Sequence, residues 1–123
     1  MKIGIVDDHD DTRYLMRCWL ESQDYEVRDW GRGEDLVQYL DRDNLHLVLA
    51  DLWLPDVDGM ALPEIIRRRC LREIPFVAIT ANATKDLRVQ ALAAGFREVL
   101  VSSTGSAVLS KYPETPARMA RAT

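Results

Sequence analysis

A run of four apolar residues, Leu47 to Ala50, leads directly into the carboxylate of Asp51. A short, uninterrupted apolar run predicts a strand that is buried on both faces, as in a parallel sheet. A charge at the end of such a strand is unfavourable unless it is balanced or used. Pro55 and Gly59 follow, and both residue types favour a tight, shaped loop. The pattern therefore predicts that Asp51 stands at the carboxyl edge of a sheet, beneath that loop.

Two further predicted strands end in polar side chains that can share this edge. The strand from Lys2 to Val6 is followed by Asp7 and Asp8, and the strand from Pro75 to Ile79 is followed by Thr80. Ligand sites of open α/β sheets gather at the carboxyl ends of the strands. We therefore expect three carboxylates and a hydroxyl to converge there. Because crowded carboxylates repel one another, a hard divalent cation such as Mg²⁺ is the expected occupant.

Strand and helix patterns alternate along most of the chain, which predicts a parallel sheet with helices on both faces. Strands are expected near residues 2–7, 25–30, 46–51, 75–80 and 97–101, and helices near 10–23, 33–42, 60–71 and 84–94. The apolar face of the first helix, where Trp19 is expected to be a core residue, comprises Thr12, Leu15, Met16, Trp19 and Leu20. Residues 107–112 allow only a short fifth helix, so the predicted domain covers residues 1–112 and residues 113–123 form a tail or linker.

Length and composition restrict the class of protein. A chain of 123 residues, 47% hydrophobic and 29% charged, suits one globular domain. No apolar run is long enough to span a membrane and no signal peptide is visible, so we expect a cytoplasmic protein without membrane contact. The net charge of -4 argues against direct nucleic-acid binding by this domain. Cys18 and Cys70 are expected to be free structural thiols, and residues 67–69 a solvated helix end. His9 is expected to be a surface residue, with a place at the rim of the site as the alternative, and His46 is expected to have a structural role.

The same residues resemble the receiver domain of two-component response regulators. The resemblance rests on four motifs that follow in order between residue 2 and about residue 101: Val6-Asp7-Asp8, Asp51-Leu52-Trp53-Leu54-Pro55-Asp56-Val57-Asp58-Gly59, Ile79-Thr80-Ala81 and Ala91-Leu92-Ala93-Ala94-Gly95-Phe96. It implies a flavodoxin-like (CheY-like), doubly wound α/β fold with five parallel strands in the order 2-1-3-4-5. It also implies a role in a two-component system or phosphorelay.

The resemblance assigns a metal-binding role to the acidic residues. It implies that Asp8 and Asp51 bind Mg²⁺ directly and that Asp7 acts mainly through water. The backbone carbonyl of Trp53 would complete the set of protein ligands. This arrangement agrees with the preference of Mg²⁺ for oxygen ligands and retained water.

The resemblance further implies that the carboxylate of Asp51 accepts a phosphoryl group from a histidine kinase or a phosphotransfer protein. The hydroxyl of Thr80 and the backbone N–H groups of Leu52 and Ala81 would then contact the phosphoryl oxygens. Enzymatic activity would be limited to the transfer of phosphate to Asp51 and its hydrolysis there. The large ring of Trp53 is expected to slow this hydrolysis by shielding the site from water.

The chain departs from the family pattern in two places. Ser102 and Ser103 stand where the family has a lysine followed by a proline, and losing such a donor typically costs about 3 kcal/mol of transition-state stabilisation. Among the three lysines of the chain, Lys85 comes closest to the same sheet edge. It is a candidate substitute, with a solvated helix start as the alternative interpretation. Val99 stands where the family has an aromatic switch residue, so an atypical output is expected.

Two classes of function stay open from the sequence. The first is a phosphoacceptor receiver domain that signals to a downstream output domain or partner protein, with homodimer formation left open. The second is a pseudo-receiver, a module that binds its partner independently of phosphorylation. Two enzyme classes fit less well. A phosphatase of the haloacid dehalogenase type requires a second aspartate where Trp53 stands, and a flavodoxin requires a hydroxyl-rich phosphate loop where Asp7 and Asp8 stand.

Overall fold

The computed structural model describes residues 1–40, 45–69, 73–80 and 83–101. Within these ranges five strands alternate with four α-helices: β1 (Lys2–Val6), α1 (Asp10–Ser22), β2 (Glu26–Trp30), α2 (Gly33–Tyr39), β3 (Leu47–Asp51), α3 (Leu62–Arg69), β4 (Phe76–Thr80), α4 (Lys85–Ala93) and β5 (Glu98–Val101). A 3₁₀ turn over Gly59–Ala61 leads into α3. The predicted strands and first four helices are confirmed. The fifth helix predicted over residues 107–112 and the tail over 113–123 lie outside the described residues.

The five strands form one parallel sheet in the order β2-β1-β3-β4-β5. This is the strand order predicted for a flavodoxin-like fold. Every residue of β3 and β4 is buried, which explains why their sequences are continuous apolar runs rather than alternating ones. Val6 of β1 pairs with Ala50 of β3. The next residues, Asp7 just after β1 and Asp51 at the end of β3, therefore lie side by side.

Two hydrophobic clusters of buried residues form the core. Met16 and Leu20 of α1 belong to the second cluster, and Trp19 packs against it, so the prediction of a core role for Trp19 is confirmed. Leu15 is 48% exposed, and its predicted place on the buried face of α1 is wrong. It lies at the edge of a stripe that residues 16, 19 and 20 already fill, so the buried face of α1 is narrower than its apolar pattern indicates.

Surface features agree with the sequence interpretation where the structure describes them. Residues 67–69 are exposed at the end of α3, and Arg67 and Arg68 form ion pairs with Glu64 at 2.8 and 3.0 Å. Cys18 is a free, exposed thiol, whereas Cys70 lies outside the described residues. Of the helices in the described part of the chain, none has the length and apolar character that a membrane span requires.

The loop after β3 is tied to the start of α2 by the carboxylate of Asp56. It accepts hydrogen bonds from the backbone N–H groups of Gly33 (3.0 Å) and Glu34 (2.9 Å), while the residue at the N-cap itself, Arg32, makes no side-chain cap. Burial alone would raise the pKa of Asp56, but these hydrogen bonds outweigh it and hold the pKa below its ordinary value. A Cβ on Gly33 would collide with the Val57 side chain, so loop and helix pack closely.

Asp56→Ala is expected to destabilise the fold by about 1–2 kcal/mol, because two N–H groups at the start of α2 lose their acceptor. Urea unfolding at pH 7 measures the loss. Because the folded-state pKa of Asp56 is lowered, its contribution is present above the ordinary pKa of 3.8 and is lost as the pH falls through the folded value.

Asp35→Ala is the matched control, because Asp35 is an exposed carboxylate in the same first turn of α2. It tests the interaction of charge with the helix dipole, for which a loss below about 1 kcal/mol is expected. Equal losses in the two variants would show that Asp56 does not act as a cap.

Candidate functional site

Asp7, Asp8 and Asp51 meet at the carboxyl edge of the sheet, together with His9. Each of the four residues offers one ligand atom, and these atoms all lie within 4.8 Å of one another. We refer to these four residues as the sheet-edge cluster. Asp7 and Asp51 are buried, with 4% and 8% of their surface exposed, whereas Asp8 and His9 are exposed. The cluster therefore has two buried carboxylates below and two solvent-accessible groups above.

Burial is the main influence on the buried carboxyl groups. It raises the pKa of Asp51 to about 6, helped by the charges of Asp7 and Asp8 and opposed by the hydrogen bond from the backbone N–H of Trp53. That bond joins Trp53 N to Asp51 Oδ1 over 3.0 Å. Burial also raises the pKa of Asp7, although its hydrogen bonds with His9 oppose the shift. Both carboxyl groups thus favour a bound proton or a bound cation.

The loop after β3 folds back over the end of that strand. Trp53 and Asp58 form a β-bridge across it. A Cβ atom on Gly59 would lie 2.6 Å from the carbonyl oxygen of Leu52 and 2.7 Å from that of Asp51. Because real Cβ atoms do not approach backbone oxygens so closely, the loop can return to the strand end only with glycine at this position. Trp53, whose backbone N–H holds the Asp51 carboxylate, is 68% exposed.

His9 is exposed, as predicted, and it also lies at the rim of the site, which was the alternative interpretation. Its side chain is 72% exposed, yet Nδ1 lies 3.2 Å from Asp8 Oδ1, 3.3 Å from Asp7 Oδ1 and 4.0 Å from Asp51 Oδ2. The charge of Asp8, followed by the hydrogen bond with Asp7, raises the pKa of His9. Its position directly after the acidic pair is a sequence signal, but that signal does not fix the direction of the ring.

Arg13 is a residue of the site that the sequence analysis missed. Its guanidinium donates to the backbone carbonyl of Asp7 over 2.6 Å, to Asp10 Oδ1 over 2.7 Å and to Asp29 Oδ2 over 3.2 Å. Arg17 Nη1 donates to the other oxygen of Asp29 over 2.6 Å. Arg13 thus joins the backbone of the site to α1 and to β2 and brings a positive charge close to the cluster. The spacing of Asp10 and Arg13, three residues apart on a helix, is the signal that could have found it.

Thr80 is buried at the end of β4. It follows Ile79, which pairs with Asp51 across the strands, so Thr80 reaches the same edge of the sheet one residue further on. Its neighbour Ala81, whose backbone N–H is a predicted phosphoryl contact, lies outside the described residues. The roles assigned to Thr80 and Ala81 stay predictions.

Lys85 is exposed and is the first residue of α4. Thr84 caps this helix by accepting a hydrogen bond from Leu87 N over 3.1 Å. The position of Lys85 is that of a solvated residue at the start of a helix. Its role as a substitute for the family's lysine stays a prediction. Ser102 and Ser103 lie outside the described residues.

The donor set of the sheet-edge cluster fits a hard divalent cation. Three carboxylates supply oxygen atoms, which are the ligands that Mg²⁺ prefers. Two of these carboxylates have raised pKa values. A bound cation would offset the cost of burying their charged forms and would reduce their mutual repulsion. The residues present are therefore compatible with Mg²⁺.

The chain matches the family model described as response regulator receiver domain over residues 3–112. Among curated proteins, the transcriptional regulatory protein SrrA of Staphylococcus aureus is 28% identical over 100 residues, which are 81% of this chain and 41% of SrrA. The chain thus spans less than half of the length of the SrrA proteins it matches.

Solved receiver structures share the fold. The BeF3-activated N-terminal receiver domain of RstA from Klebsiella pneumoniae is 27% identical, with a TM-score of 0.82 over 96% of this chain and 99% of that chain. A two-component response regulator from Clostridium difficile gives a TM-score of 0.85 at 20% identity, over 99% of both chains. At that identity the second likeness shows the fold alone.

The raised pKa of Asp51 predicts that the metal-free protein loses stability as the pH rises. The folded state binds the proton more tightly than the unfolded chain, whose pKa is 3.8, so stability is lost up to about pH 6 and stays low above it. A shift from 3.8 to about 6 corresponds to at most about 3 kcal/mol. Asp51→Asn is therefore expected to be more stable than the wild type at pH 7.5 and similar to it at pH 4.

Urea unfolding in EDTA at several pH values measures this difference. Asp35→Asn, a neutralised carboxylate on the exposed surface of α2, controls for net charge and is expected to show no comparable pH dependence. The prediction fails when the stability difference between Asp51→Asn and the wild type is the same at pH 4 and pH 7.5.

Proposed function

The chain belongs to the response regulator receiver domain family of two-component signalling, and on that basis we propose that Asp51 accepts a phosphoryl group from a histidine kinase or a phosphotransfer protein. The observation that carries the proposal is the placement of the Asp51 carboxylate. The N–H of Trp53 holds it at the end of a buried strand, in one group with Asp7, Asp8 and His9. A nucleophile held in this way is oriented before the phosphodonor arrives.

In the proposed reaction a carboxylate oxygen of Asp51 forms a bond to phosphorus while the bond between phosphorus and the donor's histidine nitrogen breaks. The electron pair of that bond stays on the nitrogen, and the imidazole leaves as a neutral ring whose other nitrogen carries the proton. The ionised carboxylate is the nucleophile. Such a transfer depends on alignment and on charge stabilisation more than on covalent catalysis by other residues.

We place Mg²⁺ at the sheet-edge cluster, where it would neutralise the carboxylates and charge on the phosphoryl oxygens. Asp8, Asp51 and the backbone carbonyl of Trp53 would hold the ion, and Asp7 would act through water. The raised pKa of Asp51 supports this placement, because a nearby cation favours the ionised form that the reaction needs. Arg13 would keep the Asp7 backbone in position through its 2.6 Å hydrogen bond.

The phosphoryl oxygens would be contacted by the hydroxyl of Thr80 and by the backbone N–H groups of Leu52 and Ala81. These donors would stabilise charge that develops during transfer. Ser102 offers no positive charge where the family has its lysine, so transfer should be slower than in relatives that retain it. Lys85, at the exposed start of α4, is the candidate for a partial replacement.

The output of the domain is proposed to be atypical and to act in the cytoplasm through a downstream domain or partner protein. Val99 is 8% exposed, and its carbonyl accepts a hydrogen bond from Arg88 Nη1 over 3.0 Å. A valine has no ring to rotate between buried and exposed positions.

The second candidate function is the pseudo-receiver, which binds its partner independently of phosphorylation. Val89 and Leu92 are exposed on α4, so this helix could hold a partner or a second copy of the chain without phosphorylation.

Incubation with Mg²⁺ and acetyl phosphate is expected to add one phosphoryl group to the protein, detected by intact-mass spectrometry. Asp51→Asn is expected to remove the adduct, because it replaces the nucleophilic carboxylate and keeps the shape of the side chain. EDTA is expected to remove it as well. An adduct that persists in Asp51→Asn would contradict the proposed acceptor, and no adduct in the wild type would favour the pseudo-receiver.

Lys85→Ala in the same assay separates the two interpretations of this residue. A slower rate of adduct formation would support a role in phosphoryl transfer, and an unchanged rate would leave Lys85 as a solvated helix-start residue. Lys2→Ala is the matched control, because Lys2 forms an ion pair with Glu26 at 3.1 Å at the start of β1. Its removal changes the net charge equally at a distance from the cluster.

Trp53→Ala is expected to shorten the lifetime of the phosphorylated protein several-fold, because Trp53 is exposed two residues after Asp51 and its large ring would shield the phosphoryl group from water. The measurement is the decay of the phosphoryl adduct after removal of the phosphodonor. Trp53→Phe, which keeps a large ring, is expected to decay at nearly the wild-type rate. Equal decay rates in Trp53→Ala and the wild type would contradict the shielding role.

A further inference from the structure

We infer that His9 is a nitrogen ligand of the metal site and shifts the preference of that site from Mg²⁺ towards transition-metal ions such as Co²⁺ and Zn²⁺. The inference rests on the proposed metal site and extends it to a residue beyond the predicted oxygen ligands. It comes from the direction of the imidazole, whose Nδ1 faces all three carboxylates of the sheet-edge cluster.

The distances from Nδ1 are those expected between ligands of one ion. Ligand atoms about 2.1 Å from a metal are about 3.0 Å apart when adjacent in an octahedron and about 4.2 Å apart when opposite. His9 Nδ1 lies 3.2 Å from Asp8 Oδ1, 3.3 Å from Asp7 Oδ1 and 4.0 Å from Asp51 Oδ2. The distance to Asp8 Oδ1 fits adjacent ligands, and the distance to Asp51 Oδ2 fits an almost opposite pair. Asp7 Oδ1 already accepts hydrogen bonds from the backbone N and Nδ1 of His9, in keeping with a role through water. A single ion could therefore contact the imidazole and the carboxylates with small adjustments.

The backbone holds the imidazole in this place. His9 is the N-cap residue of α1 with an extended conformation, and its backbone N–H donates to Asp7 Oδ1 over 2.8 Å. Its carbonyl accepts the hydrogen bond of Arg13 N over 3.0 Å, which begins the helix. Arg13 also donates to the carbonyl of Asp7. The peptide segment from Asp7 to His9 is thus fixed at both ends, so the ring is presented to the cluster by an ordered turn.

The chemistry of imidazole gives the direction of the preference. Mg²⁺ takes oxygen ligands and gains little from a nitrogen donor, whereas imidazole suits Zn²⁺, Cu²⁺, Ni²⁺ and iron. A site with carboxylates alone discriminates between these ions less than one that adds an imidazole. At equal concentrations, the site with His9 should therefore favour Co²⁺ or Zn²⁺ over Mg²⁺ more strongly than the same site without it.

The test compares the affinities of the untagged protein for Mg²⁺ and Co²⁺ at pH 8, from the change in tryptophan fluorescence on titration. His9→Ala is expected to lower the affinity for Co²⁺ on the order of tenfold and to change that for Mg²⁺ by less than about threefold. His46→Ala is the matched control, because the chain has 2 histidines and Nδ1 of His46 accepts from the backbone N–H of Lys2 instead. It is expected to change neither affinity.

Pulsed EPR of the Mn²⁺-loaded protein gives a second readout that does not depend on phosphorylation. A nitrogen coupling is expected in the wild type and in His46→Ala, and it should be absent in His9→Ala. Loss of both metals in equal measure on His9→Ala, or no nitrogen coupling in the wild type, would overturn the inference. So would a wild type that binds neither ion.

The result for His9 can be separated from that for the phosphoacceptor. A preference that depends on His9 in a protein that forms no phosphoryl adduct supports the inference and contradicts the proposed function. An adduct on Asp51 with metal affinities that do not depend on His9 supports the function and overturns the inference.

Discussion

The burial of carboxylates at one edge of a parallel sheet is the constraint on which the rest of this structure depends. The strands that carry Asp7 and Asp51 are buried because helices cover both faces of the sheet, and their register puts the two carboxylates next to each other. The fold compensates only in part. The N–H of Trp53 and the groups of His9 oppose the raised pKa values without reversing them. In the metal-free site, the ionised forms of these carboxylates are therefore unfavourable, and a bound cation would stabilise them.

The loop after β3 is held next to Asp51 by contacts at Trp53, Asp56 and Gly59. Its first half is fixed to Asp51 through Trp53 N, and its second half is fixed to α2 through Asp56. Gly59 allows the chain to pass close to the carbonyl groups of Leu52 and Asp51. These contacts fix the backbone of the loop, so the exposed side chain of Trp53 is attached to an ordered segment next to Asp51.

The fold could be predicted from the sequence because buried parallel strands leave an unambiguous pattern. The continuous apolar runs of β3 and β4 and the alternation of strands with helices are sufficient for the sheet order once the family resemblance is added. The limit of periodicity is visible at Leu15, which is apolar and lies on the expected side of α1 but is exposed. Periodicity reports which side of a helix faces the core and does not report how wide the contact is.

The site was predicted less completely, for a physical reason. Strand ends place the backbone of Asp7, Asp51 and Thr80, so their convergence follows from topology. The places of His9 and Arg13 depend on side-chain torsions and on hydrogen bonds to the Asp7 carboxylate and carbonyl, which no spacing rule fixes. Both residues are cationic or can become so: His9 lies against the carboxylates of the cluster, and Arg13 contacts the carbonyl of Asp7 and the carboxylates of Asp10 and Asp29.

The distribution of positive charge connects the missing lysine at residue 102 with the missing aromatic residue at position 99. In the described part of the chain, Arg13 and His9 approach the cluster from the side of α1, whereas the family's lysine would approach from the side of β5. In the proposed function, a phosphoryl group on Asp51 would be balanced by α1 and by the metal, with no ionic contact from Ser102. Val99 is packed in the first hydrophobic cluster, so the proposed atypical output would not depend on a ring that rotates at residue 99.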